Sequence, residues 1–99
     1  MITDDNYWMS RGDHMDKNRN NGRNNICGKK ISMLRLARAP KTSQRALADL
    51  LQLEGIDLDK NAVQRIESEK RFVTDIEIRV FAKIFKVTVD ELLREDKLN

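Results

Sequence analysis

Ninety-nine residues, 39% of them hydrophobic, suffice for one modest core and no second domain. A net charge of +3 says little about partners by itself, one cysteine excludes an internal disulfide, and no apolar run nears the roughly 18 residues of a membrane span. The first residues lack a basic stretch followed by an apolar run and a small-residue cleavage site, so the expectation is a cytoplasmic protein without an export signal.

Residues 1–25 are polar, rich in Asn and Gly, and follow neither a helical nor a strand period, which predicts a disordered N-terminal arm. His14-Met15 reads equally as a cloning junction or as an upstream start with Met15 as initiator, so residues 1–14 carry no weight in the fold argument. Lys17, Arg19 and Arg23 are candidates for phosphate or minor-groove contact, with plain solvation the equal alternative. Tyr7 and Trp8 could stack on bases but read more simply as incidental to the arm.

The chain becomes periodic at Cys27. Cys27, Ile31 and Leu34 fall on one helical face, and the helix must end before Ala39-Pro40 because proline disfavours a helical residue ahead of it. Ser43 is suited to cap a second helix with the apolar stripe Leu47, Ala48 and Leu51, which Gly55 stops. Asp59 then caps a third helix from about Lys60 to about Ser68, with Leu58 and Val63 at the two positions of a hydrophobic staple. Thr74 or Asp75 opens a fourth, whose core face is Ile78, Phe81, Ala82 and Phe85. Thr88 and Glu91 form a capping-box pattern ahead of Leu92 and Leu93. No segment alternates long enough for a strand, so the fold class is all-α, a compact five-helix domain over residues 26–95 with a short tail at 96–99.

Charge is distributed unevenly along these elements. Residues 16–45 carry nine Lys and Arg against Asp16 alone, while residues 46–99 are slightly acidic. The third helix divides its positions: Ala62, Val63 and Ile66 can pack inward, and Lys60, Asn61, Gln64 and Arg65 lie on the other side. Arg and Lys can donate to guanine O6 and N7, and Asn and Gln can bond adenine twice, so these four suit base edges in a major groove; an ordinary solvated face would have the same pattern. Two closely connected helices, the second with a polar outer face, form the layout of a helix-turn-helix.

The motifs Cys27-Gly28-x-x-Ile31-x-x-Leu34-Arg35, Ser43-Gln44-x-x-Leu47-Ala48 and Ala62-Val63-x-x-Ile66-Glu67 stand in order along the chain. Ile78-x-x-Phe81-Ala82-x-x-Phe85-x-Val87 and Asp90-Glu91-Leu92-Leu93 follow them. Together, from Cys27 to Leu93, they resemble the Cro and lambda-repressor type of helix-turn-helix DNA-binding domain, the XRE family. The resemblance implies a lambda-repressor-like fold and a transcriptional regulator of double-stranded DNA, a repressor that occupies its operator. It places Lys60, Asn61, Gln64 and Arg65 toward the bases. Gln44, Lys70 and Arg71 fall at phosphate positions, Gln44 also supporting the reading helix, and Arg35 and Glu67 match an ion pair that clamps the first helix to the third. The sequence departs from the family in a connection at Gln52 to Leu58 about four residues longer than usual and a first loop about two longer. Glu69 stands near where a glycine is common, at a cost of roughly 1 kcal/mol if it turns left-handed.

A second apolar stripe on the fourth helix, Ile76, Val80 and Ile84, lies opposite its core face by this reading; either a homodimer or the fifth helix would cover it. Cys27 is expected to be a small core hydrophobe rather than a redox sensor. One histidine, His14, supports neither a metal site nor a catalytic triad, and no cofactor or enzymatic activity is expected. The competing expectation is a protein-interaction module, such as an antitoxin subunit that neutralises a protein partner.

Overall fold

The computed structural model describes residues 21–95. Five helices follow in order: α1 (Gly28–Ala37), α2 (Gln44–Leu53), α3 (Lys60–Glu67), α4 (Asp75–Phe85) and α5 (Val89–Leu93), with no strand among the described residues.

Four of the five starts are made by side chains that accept the otherwise unsatisfied amides of a first turn. Ser43 Oγ accepts from the Ala46 amide at 3.0 Å and Asp59 Oδ1 from that of Ala62 at 2.8 Å. Thr74 with Glu77 and Thr88 with Glu91 close full capping boxes. The fifth start, that of α1, has no cap from its own preceding residue, and the Gly28 amide instead donates to Asn25 Oδ1 at 2.8 Å.

Three helix ends turn left-handed. At Gly55 (φ 84°) this is free of strain, whereas Glu69 (φ 66°) and Lys86 (φ 59°) adopt the same region with a Cβ. After α3, the Glu69 amide donates to Ile66 O and the Lys70 amide to Arg65 O, both at 2.9 Å, the paired bonds of a Schellman ending with glutamate where glycine is usual.

Cys27, Ile31, Leu47, Leu51, Val63, Ile66, Phe81 and Leu92 are fully buried and draw every helix into one core. Leu58 and Val63, the expected staple, are both part of it. α3 packs on α1 and α2, and α4 on α1, α2 and α5. Gly28 marks the closest approach of α1 to the end of α3, since a Cβ there would collide with the Ile66 carbonyl oxygen.

Three expectations are corrected. The arm does not extend to residue 25: Asn24 and Asn25 are bonded to the connection between α3 and α4, while Lys17, Arg19 and the rest of the expected arm, like residues 96–99, lie outside the described residues. The connection between α2 and α3 spans residues 54–59 rather than 52–58, because Gln52 and Leu53 complete the last turn of α2. On α4, Val80 and Ile84 are not opposite the core but half-buried against it; only Ile76, 64% exposed, stands clear. The physical reason is twofold: at 100° per residue Ile84 lies beside Phe81 rather than across from it, and α4 packs against α1, α2 and α5, which together cover more than one stripe.

Candidate nucleic-acid interface

The outer face of α3 is set by helix geometry. Lys60, Asn61, Gln64 and Arg65 occupy positions i, i+1, i+4 and i+5, which share one side, while Val63 and Ile66 are fully buried on the other. All four polar residues are exposed, and none of their side chains makes a hydrogen bond or ion pair among the described residues. Their donors and acceptors are thus available to a ligand.

The remainder of α3 is held firmly. Arg35 Nε donates to Glu67 Oε2 at 2.7 Å and Nη2 to Oε1 at 3.0 Å, a bidentate pair with the two side chains only 11% and 6% exposed. The bond to Glu67 raises the Arg35 pKa above its ordinary value, against the opposing effect of burial. Arg35 Nη1 also donates to the Thr42 carbonyl at 3.1 Å, and Gln44 Nε2 donates to Glu67 Oε1 at 3.0 Å. One carboxylate therefore joins α1, the first residue of α2 and the last turn of α3. At the opposite end, Gln52 Nε2 donates to the Leu58 carbonyl at 3.0 Å and steadies the approach to Asp59.

The two basic residues expected after α3 part company. The Lys70 side chain is exposed, whereas the Arg71 guanidinium lies against Glu77 (Nη1 to Oε1, 3.1 Å) and donates to the Phe72 carbonyl at 2.9 Å. Arg71 thus anchors the start of α4. Arg23, from the expected arm, faces Glu95 at 3.1 Å and Glu69 at 3.9 Å.

Some residues around α3 were not singled out by their sequence. Asn25 Nδ2 donates to the carbonyls of Ile66 (3.1 Å) and Arg71 (2.8 Å), tying the start of α1 to the end of α3. Arg38 and Lys41 on the connection between α1 and α2, and Arg45 in the first turn of α2, share a cleft of about 720 Å³ with Lys60. The concentration of basic residues in 16–45 was the available signal, but only folding joins Lys60 to them.

The chain matches no family model, no curated protein and no solved structure. No helix among the described residues is long and apolar enough to cross a membrane.

Proposed function

We propose that the chain is a sequence-specific DNA-binding protein of lambda-repressor-like fold, reading the major groove with α3 and regulating transcription as a repressor. The observation that carries this reading is the contrast within α3: four unpaired, exposed side chains suited to base edges on a helix whose other side is clamped by the Arg35–Glu67 pair. A reader must present its donors in a fixed orientation, and this helix is anchored through both of its ends. Lys60, Asn61, Gln64 and Arg65 are the proposed base-reading residues. Gln44 and Lys70 are proposed phosphate contacts, with Arg71 in that role only if it leaves Glu77.

The test is selection of preferred duplex sites by the wild type and by Asn61→Ala and Arg65→Ala. Loss of a good bidentate contact is expected to cost about 1–3 kcal/mol and to relax preference at one position. Variants that select the unchanged site, or a wild type that selects none, would refute base reading by α3.

A second reading, a module that binds a protein partner or a second copy of itself, is favoured by one observation. Phe72, in the connection before α4, and Ile76, in the first turn of α4, are 51% and 64% exposed although both are large and apolar. Retention of a protein partner at high salt, without a preferred DNA site, would favour it.

A further inference from the structure

The cleft between the α1–α2 connection and the first turns of α2 and α3 is strongly basic. Arg35, Arg38, Lys41, Arg45 and Lys60 line it and no carboxylate does. Of these five, Arg35 alone is neutralised within the fold, by Glu67. Arg38, Lys41, Arg45 and Lys60 have no ion-pair or hydrogen-bond partner for their side chains among the described residues. Arg38 adds an independent sign: its Nη1 is buried and bonded to nothing. A desolvated guanidinium N–H without an acceptor is unfavourable, so a shift of the Arg38 side chain that brings it to an anionic oxygen in the cleft is favoured.

The neighbouring groove, between the bodies of α2 and α3, has the opposite character on one flank. It is shared by Arg45, Lys60 and Asn61, but Asp49 and Asp59 also line it. Two carboxylates disfavour a polyanion there, so a chain of phosphates passing Lys60 is steered toward Lys41 and Arg38 instead of along α2.

We infer that this cleft is a track for the phosphate backbone of duplex DNA, with Arg38, Lys41 and Arg45 as its contacts and Lys60 joining it to the base-reading face. The inference rests on the DNA-binding reading and adds residues of the α1–α2 connection to it. Duplex DNA is the favoured polyanion because Lys60 belongs at once to the cleft and to the exposed side of α3, so one ligand spans both. The contacts are sequence-independent: they position the domain and do not select bases.

The experiment measures affinity for the selected duplex and for an unrelated duplex at several salt concentrations, for the full chain and for Lys41→Ala, Arg45→Ala, Arg38→Ala and the charge-preserving Arg38→Lys. Lys41 and Arg45 are exposed, so their variants are expected to fold, which circular dichroism checks. Each neutralising variant should weaken both duplexes alike, leave the selected sequence unchanged and reduce the salt slope by about 0.9, so that the affinity lost between 50 and 200 mM salt shrinks by roughly threefold. Arg38→Lys should retain the wild-type slope. A wild type that selects a site, with unchanged slopes in Lys41→Ala and Arg45→Ala, overturns the track and leaves base reading by α3 intact. A wild type with no salt-dependent duplex binding overturns both, and is recognised without any variant.

Discussion

The Glu67 carboxylate accepts from Arg35 Nε and Nη2 and from Gln44 Nε2, while Arg35 spends its remaining nitrogen on the Thr42 carbonyl. Little is left unpaired in this nearly buried cluster, so deleting one member strands the others. Arg35→Ala and Glu67→Ala are each expected to lower stability by about 3–5 kcal/mol, enough for a fall of at least about 10 °C in Tm for a domain of this size. Gln44→Ala, which removes one neutral donor to a charged acceptor, should cost about 1.5–3 kcal/mol. Thermal unfolding of the three variants ranks them; an unchanged Tm in Arg35→Ala would mean that the clamp carries no stability. Cys27 gives a second prediction. Its burial pushes the thiol up to about 11, whereas a cysteine in an unfolded chain ionises near about 8.5. Below the unfolded value both states hold the proton and the contribution to stability is complete. Above it the unfolded state releases the proton first, so stability falls as pH rises toward 11, by up to about 1.4 kcal/mol per pH unit. Urea unfolding of wild type and Cys27→Ala across this range should show the steeper alkaline decline only in the wild type.

At the scale of elements, local chemistry decides where each helix begins and close approach decides how the helices meet. Ser43, Asp59, Thr74 and Thr88 each accept the amide three residues on, and α2 to α5 begin directly after them. α1 is different. Its N-terminus depends on Asn25, whose amide is at the same time bonded to Ile66 and Arg71, so the start of α1 and the end of α3 form one unit. Gly28 permits that unit: a methyl group there would strike the Ile66 carbonyl and crowd Asn25 Oδ1 at 3.0 Å. Alanine normally favours a helix over glycine, yet Gly28→Ala is expected to destabilise by upwards of about 2 kcal/mol, because the obstacle is backbone. Urea denaturation checks the sign. A gain in stability would show that α1 and α3 can separate without loss.

Across the whole molecule, the core covers most of what helix periodicity leaves apolar. The stripe on α4 illustrates this, since packing against the core takes up Val80 and Ile84 and leaves only Ile76 exposed. Any self-association through α4 must therefore use Ile76, with the exposed Phe72 just ahead of the helix as a second candidate, rather than the full stripe. Replacing Phe72 and Ile76 together by serine should lower folding stability by only about 2 kcal/mol, since about half of one side chain and a third of the other are covered, while abolishing self-association on a palindromic site. Sedimentation of wild type and variant distinguishes the cases. A strictly monomeric wild type, free and on DNA, removes the dimer.

Helix starts, the staple of Leu58 with Val63 and the inward positions of α3 were legible in the sequence, because caps and the 3.6-residue period act over a few neighbouring residues. So was the division of α3 into buried and exposed sides. The pairing of Arg35 with Glu67 and the support from Gln44 entered through family resemblance, since no local rule joins residues so far apart. Only the tertiary structure decided the rest. It turned Arg71 onto Glu77, fastened Asn25 across the end of α3, drew Val80 and Ile84 toward the core and collected Arg38, Lys41, Arg45 and Lys60 around one cleft. Each of these depends on which surfaces meet after the chain closes on itself, and a side chain's choice between a neighbour, the core and solvent is made by that meeting and not by its own chemistry.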